Sequence, residues 1–432
     1  GSIALAAMAV QFVTSGRFET FAGRLGIDVT MAFHKWASYW ILAAVVLHPL
    51  LYVGGAALTD PGRALERLVG MIGSPRLTTG VAAWLAVVAL VALGIFRKSL
   101  PVGYEAWRGV HGALAAVAVA GGLHHAVSAG SYAAEPAVRA YWIAVALLVA
   151  GSVAILYGLR WRRLHSRPWE ISSSSRIGTD LWEIELAPRP GTPPLAFRAG
   201  QFVWMSVATR RFPLFDHPFS IASSPLRPTL ALVIKEIGDF TRTVGSLKPG
   251  TAVGIDGPHG SFTVSGRPAS AILLVAGGVG IGPILGILRD LRERRDPRPV
   301  RLVYGAGSPD KIVAQDEIAA AADAIDLSAI LVSETADPGW TGDTGWIDRP
   351  RLERALDGLD RRETLAMICG PDAMITAVAD TLVDLGLPMK SVVYERFDYA
   401  GGSVAQADRR QAKIFAAVGA ALVAAVAAFA WR

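Results

Sequence analysis

The chain has 432 residues, 52% of them hydrophobic and only 18% charged, with a net charge of +6 and a mean hydropathy of +0.39. That length exceeds one ordinary core and points to two or three domains. The basic residues gather at the ends of apolar runs, which suits lipid headgroups and argues against nucleic acid as a partner. A single cysteine, Cys369, excludes both a disulfide framework and a cysteine-ligated iron–sulfur cluster.

The two halves of the chain differ. Residues 1–160 are mostly long apolar runs, whereas 161–400 read as ordinary globular sequence. Five runs lack Asp, Glu, Lys and Arg: 36–59, 77–96, 109–134, 140–159 and 414–431. Each approaches the roughly 20 helical residues that cross about 30 Å of hydrocarbon. Buried helices of a large soluble protein are the alternative, and the number of such runs weighs against it. The opening run 3–13 is too short to span alone and reads as the tail of a helix whose beginning is missing, with Gly1-Ser2 in its place. Arg97, Lys98 and Arg108 flank one pair of span ends, and Arg160, Arg162 and Arg163 follow another. The positive-inside rule puts both groups, and with them residues 161–400, in the cytoplasm. The loop with Arg63, Arg67 and Arg76 then faces outward against that rule, although Asp60 and Glu66 accompany it.

Five of the eight histidines fall on two spans, His34 and His48 on one and His111, His124 and His125 on the other. Any one of them is as readily a hydrogen-bonded packing residue, but ionisable groups at membrane depth are functional candidates. Fourteen residues separate His34 from His48 and His111 from His125, which returns each pair to within about 40° of one helix face, about 21 Å apart. Two such helices side by side present one facing pair near each membrane surface, suited to two stacked bis-histidine haems. The separation argues against a single clustered zinc or copper site.

His34-Lys35-Trp36 leading to Leu47-His48-Pro49-Leu50, and Trp107-Arg108-Gly109-Val110-His111 leading to Leu123-His124, resemble the ferric reductase-like transmembrane domain. NADPH oxidases, ferric reductases and their bacterial relatives share that domain. The resemblance implies an inner haem b on His34 and His111 and an outer haem b on His48 and His124. Ideal helix geometry prefers His125 to His124, and a distortion at Gly121-Gly122 would reconcile the two. Trp40 lies near the middle of its helix, as a bridge between haems or as plain packing.

After Arg163 the pattern changes to short β-rich segments divided by Gly and Pro, such as Phe202–Val207 and 230–234. These suggest a small antiparallel barrel. Ala199-Gly200-Gln201-Phe202, Asp216-His217-Pro218-Phe219-Ser220, Lys235, Gly238-Asp239-Phe240-Thr241-Arg242 and Gly257-Pro258-His259-Gly260 occur in an order that resembles the FAD-binding domain of the ferredoxin-reductase superfamily. The resemblance implies that His217 and Thr241 bind near the pyrophosphate, Phe219 packs on the isoalloxazine, and Ser220 reaches flavin N5. Pro218 and Lys235 belong to the same cofactor-binding set.

From Ala271 strand-like and helix-like segments alternate, as in a parallel α/β sheet. An apolar strand, 272–276, leads into Gly277-Gly278-Val279-Gly280-Ile281-Gly282-Pro283 and a helix over 284–293. Such a turn lets backbone approach a pyrophosphate at a helix N-terminus. With Cys369-Gly370-Pro371 and Glu395-Arg396-Phe397-Asp398-Tyr399 it resembles the nicotinamide domain of the same superfamily. Gly278, Gly280, Gly282, Pro283, Gly370 and Pro371 are then cofactor-binding and Cys369 and Glu395 line the nicotinamide site. Phe397 or Tyr399 covers the flavin. No arginine follows the strand at Val303-Tyr304-Gly305-Ala306-Gly307-Ser308, although Lys311 is near, so NADH is expected to serve as well as NADPH or better.

The expected organisation is therefore a multidomain protein. A di-haem helical transmembrane bundle occupies 1–163, an antiparallel β-barrel FAD domain 164–268, and an α/β parallel-sheet NAD(P)H domain 269–400. A linker and C-terminal transmembrane helix occupy 401–432. The resemblance implies an integral protein of a bacterial plasma membrane, with its reductase domains cytoplasmic. It would pass electrons from NAD(P)H through FAD and two haems to O2, giving superoxide. A ferric chelate is the first alternative acceptor; a quinone, a partner protein, or a haem-free transporter regulated by nicotinamide are more remote. The sequence points to no obligatory protein partner.

Overall fold

The computed structural model describes residues 1–13, 27–129, 135–207 and 211–396, with Lys413 and Ala417 beyond them. Phe397, Tyr399 and all of 414–431 but Ala417 lie outside the described residues. The chain divides into two compact units, one built mainly on residues 29–160 with the N-terminal helix, the other on 161–212 and 216–396.

The first unit is helical. Its elements are α1 (Ser2–Val13), α2 (Ile27–Thr59), α3 (Pro61–Gly73), α4 (Thr78–Ile95), α5 (Tyr104–Ser128) and α6 (Pro136–Val153). The last continues through a wider π-helical turn, Ala154–Leu159, into α7 (Arg160–Ser166). Among the described residues, four stretches are long and apolar enough to cross a membrane: Thr30–Gly54, Thr78–Ile95, Tyr104–Ser128 and Pro136–Ser166. The first begins before the charge-free run at 36 and takes in Lys35, which is exposed and whose long stem can carry its charge toward headgroups.

Residues 61–73, read from the sequence as part of a loop, form a helix. Asp60 caps it by accepting the Arg63 amide at 3.1 Å, and Pro61 occupies the first turn, where no amide hydrogen is needed. Between helices the unit packs small side chains, Ala86, Ala118, Ala7 and Ala9, among larger ones. Ile41, Ala86, Val87 and Ala118 meet Ala7, Met8 and Leu114, while Leu5 and Ala9 meet Trp142 and Val145. Small residues allow the close approach that drives association in lipid, where apolar area alone supplies little.

The second unit holds two sheets. Strands β1 (Trp169–Arg176), β2 (Leu181–Pro188), β3 (Phe202–Val207), β4 (His217–Ser220), β5 (Leu230–Lys235) and β6 (Ala252–His259) form an antiparallel sheet in the order β4-β3-β6-β1-β2-β5. An isolated bridge from Ile221 to Leu232 joins its two ends, so the sheet curls on itself around Ile171, Ile184, Val203 and Leu232.

The other sheet is parallel. Its strands are β7 (Ala271–Gly277), β8 (Val300–Ala306), β9 (Leu327–Ser333), β10 (Asp343–Thr344), β11 (Thr364–Gly370) and β12 (Val392–Arg396), in the order β10-β9-β8-β7-β11-β12. Helices α8 (Ile281–Arg294), α9 (Gln315–Ala322), α10 (Arg349–Ala355) and α11 (Asp372–Asp384) pack around it. All seven residues of β7 are buried, as expected of a central strand covered on both faces. The chain leaves β7 toward β8 and later returns on its other side as β11. The crevice beyond the ends of β7 and β11 is thus the topological switch point, where open parallel sheets bind ligands.

Candidate functional site

His34 on α2 and His111 on α5 face each other, with ring centroids 6.4 Å apart and planes inclined at 48°. Metal–imidazole bonds of about 2.0–2.1 Å, with about 1.1 Å from nitrogen to ring centre, place two imidazoles sharing one metal about 6.3 Å apart. The observed spacing would therefore suit His34 and His111 as the residues holding one haem iron. Nδ1 of both rings is buried without a hydrogen-bond partner. The His34 carbonyl accepts from Gln11 Nε2 at 3.0 Å and Ser38 Oγ at 2.7 Å.

The second pair lies farther along the same helices. His48 meets Tyr52 edge-on at 5.3 Å. His125 has its Nδ1 buried and unpartnered. Its ring fills the space beside Gly80 on α4, where a Cβ would stand 2.6 Å from that nitrogen. His124 is exposed, and its Nδ1 pairs with Thr79 Oγ1 at 3.0 Å. Helix α5 runs unbroken through Gly121-Gly122, so the 14-residue spacing, not 13, returns to the His111 face. Trp40 is half-exposed.

In the curled sheet, His217 opens β4 and stacks face to face on Phe240, with centroids 4.3 Å apart and planes at 5°. Phe219 lies 6.1 Å from the same ring. Phe240 lies within the motif at 238–242 without a local signature of its role; only the fold brings it over β4. Thr241 Oγ1 accepts from the Ile237 and Gly238 amides at 2.9 and 2.8 Å, which shapes the turn. Ser220 Oγ is buried without a partner, a hydroxyl suited to a bound acceptor. Pro218 is exposed, and Lys235 pairs with Asp180 at 3.4 Å.

At the switch point the glycine turn leans on β11. A Cβ on Gly280 would stand 2.2 Å from the Cys369 carbonyl oxygen, so only glycine fits there. Gly278 faces open space, and Gly282 and Pro283 form the buried first turn of α8. Gly370 and Pro371 lead from β11 into α11. Cys369 pairs in register with Glu395 of β12. Burial, helped by the Glu395 charge, pushes its thiol well above the usual range; the side chain is fully buried and belongs to the apolar core.

One further residue was not legible in the sequence. Arg289 on α8 donates to Glu183 of β2 and to the Ala222 carbonyl at 2.8 and 2.9 Å, and to both oxygens of Glu317 on α9 at 2.8 and 2.7 Å. Burial alone would lower its pKa, but the hydrogen bonds and charges of Glu317 and Glu183 outweigh that and raise it. A single guanidinium thus ties the curled sheet to the parallel one.

A helical unit with membrane-length spans, joined to a curled antiparallel sheet and a parallel sheet with a glycine turn at its switch point, defines a membrane-bound flavin- and nicotinamide-dependent oxidoreductase. Comparison with known proteins agrees. Residues 1–122 match the ferric reductase like transmembrane component, 170–262 an FAD-binding domain, and 274–380 the oxidoreductase NAD-binding domain. The chain belongs to the NADPH oxidase and ferric reductase superfamily, as its motifs implied.

Among relatives, ferredoxin–NADP reductase B of Sorangium cellulosum is 32% identical over 215 residues, 47% of this chain and 86% of that protein. NADH-cytochrome b5 reductase 1 of Laccaria bicolor is 26% identical over 178 residues; these cover 40% of this chain and 58% of that protein's length. The structure of flavohemoglobin from Malassezia yamatoensis aligns with a TM-score of 0.50 at 16% identity, over 87% of this chain and 100% of that one. That is a likeness of fold.

Proposed function

We propose that the protein takes hydride from cytoplasmic NAD(P)H and delivers its electrons one at a time across the membrane to an external acceptor. FAD and two b-type haems, when bound, would supply the chemistry: a flavin can divide a hydride's electron pair, and haem can carry single electrons. The observation that carries this reading is the 6.4 Å separation of the His34 and His111 rings, which suits axial ligation of one iron from two helices.

His34 and His111 hold the inner haem, and His48 and His125 the outer one. His125 is preferred to His124 because its Nδ1 is buried and unpartnered and it lies fourteen residues from His111, on nearly the same helix face, whereas His124 is exposed and engaged by Thr79. His217, Phe219, Ser220 and Thr241 hold the flavin, with Phe240 supporting the first two. The turn at Gly278, Gly280, Gly282 and Pro283 receives the nucleotide pyrophosphate, and Cys369, Gly370, Pro371 and Glu395 border the nicotinamide. Phe397 or Tyr399 covers the flavin until the nicotinamide displaces it.

NADH is the preferred donor. Beyond the end of β8, Asp310 accepts hydrogen bonds from Ser308 at 2.5 Å and from Thr179, and these hold its carboxyl below the usual range. A fixed negative charge there disfavours an extra phosphate and suits a ribose hydroxyl.

Dioxygen, reduced to superoxide, is the first acceptor, because the segments between spans on the outer side carry only Asp60, Glu66 and Glu135 as carboxylates, too few and too scattered to bind ferric iron. A ferric chelate is the second reading, favoured by the ferric reductase like match. The test is purified protein loaded with haem and FAD and driven by NADH, comparing superoxide yield with ferric-chelate reduction. A protein without a Soret band would sink the scheme. Haem content should fall by half in His125→Leu and stay whole in His124→Leu; the reverse result would return the outer ligand to His124.

A further inference from the structure

Ligating histidines are ordinarily held in plane by a hydrogen bond from the ring nitrogen opposite the metal. His111 has none, since its Nδ1 is buried without a partner. What touches its ring instead is Trp107, one helical turn earlier, stacked at 5.1 Å with planes at 29°. The indole is itself fixed: its Nε1 donates to the Leu93 carbonyl at 3.0 Å, one of the last-turn carbonyls of α4 that the helix leaves unpaired. Tyr104, a turn before Trp107, continues the stack at 6.0 Å and 17°. The Arg97 guanidinium lies over both rings, 4.7 Å from the Tyr104 centroid and 4.8 Å from that of Trp107. Arg108 approaches Tyr104 at 5.9 Å, and Lys98 and Glu105 are the other charged residues adjoining the stack in sequence.

We infer that Arg97, Tyr104 and Trp107 are positioning residues for the inner haem: the indole sets the plane of His111, and the stacked guanidinium holds a positive charge near the iron. The inference rests on the haem reading proposed above. An aromatic plug with no further role would need neither a cation over both rings nor an indole held between two helices against a histidine that lacks its own orienting bond. A positive charge favours the reduced, less positive state of a nearby iron and so raises its reduction potential. At on the order of 12 Å and an effective dielectric of about 20, one charge changes the oxidised-to-reduced ratio about tenfold. Arg97 is exposed, and screening reduces this to about two- to fivefold.

The test uses the full-length, haem-loaded protein, with potentiometric titration of both haems and their low-spin electron paramagnetic resonance signals. His34→Leu identifies the inner-haem signal by its loss. R97Q should retain two haems and lower the inner midpoint by the equivalent of a two- to fivefold change in ratio (tenfold being 59 mV for one electron), leaving the outer midpoint unchanged. W107L should shift the inner signal alone, and W107F should restore it. Should W107L fail to hold haem, R97Q and W107F decide by potential and signal. Unchanged inner potential in R97Q together with an unchanged signal in W107L overturns the inference, and so does an equal shift of both haems. A wild-type protein without haem would instead refute the underlying reading, and the inference with it.

Discussion

The helical unit buries small residues such as Ala86 and Ala118 beside a few large ones, Trp142 and Ile41, and leaves Leu51 and Leu58 exposed at 77% and 90%. The reductase unit does the reverse, with the large side chains of Tyr304, Leu273 and Met205 fully buried. Lipid removes the incentive to bury bulk, so the helices meet where backbones can approach; water imposes that incentive on the sheets. The candidate sites follow the same division. In the helical unit they consist of side chains brought from two helices, His34 with His111 and His48 with His125. In the reductase unit much of the nucleotide site is backbone, a glycine turn laid against the end of β11. Side-chain sites should fail singly, leaving the rest of the protein intact, whereas backbone sites should fail through small displacements of packed structure.

The most severe test of that contrast is His111→Leu. Loss of an orienting neighbour alone costs a metal site 10- to 100-fold, so loss of a ligand should cut electron delivery across the membrane by about 100-fold or more. One of two haems should vanish from the absorbance spectrum while NADH reduction of a soluble dye continues at the wild-type rate. Equal loss of both activities would mean that the units are not separable. Gly280→Ala should do the opposite. Its Cβ cannot coexist with the Cys369 carbonyl, and a displacement of about 1 Å at a reacting centre costs about 10- to 100-fold. Stopped-flow flavin reduction by NADH should slow by that factor, with haem content unchanged.

Arg289→Ala addresses the join between the two sheets. Removing the guanidinium leaves Glu183 without its partner and Glu317 with only the longer Arg292 pair at 3.8 Å, and should cost about 3 kcal/mol, read as a lower Tm of the reductase unit. The pH dependence has a definite sign. Burial acts to raise the Glu317 pKa, but the Arg289 hydrogen bond and charge prevail and hold it below the usual range. Its contribution is therefore present above the unfolded carboxyl pKa of about 4.5 and is lost as pH falls through the lower folded value. Stability of the wild type should decline across that acid range, and the variant's curve should be flatter. The smallest effect is expected at Asp310. Asp310→Arg should raise kcat/KM for NADPH about tenfold by replacing a repulsive charge with a phosphate partner, and an unchanged NADH-to-NADPH ratio would remove Asp310 from specificity.

Much of this protein was legible in its residues because the relevant chemistry is local. A run of about 20 uncharged residues must be a helix if it crosses lipid, since every backbone group has to be satisfied within the segment. The turn from Gly277 to Pro283 and the His217-Pro218-Phe219-Ser220 segment likewise declare themselves within a few positions. The helix at Pro61–Gly73 was missed because its arginines read as a loop, although Asp60 and Pro61 supply a start signal. Spacing left His124 and His125 undecided; the unbroken path of α5 and the cleft at Gly80 are what support the proposal of His125. Arg289 spans 106 residues to Glu183, and the Trp107 indole bonds a carbonyl of the preceding helix. Neither contact is encoded in a local pattern. Sequence periodicity determined which elements form and which face each residue shares, while tertiary packing alone determined the partner opposite that face, because the partner's distance along the chain leaves no local trace.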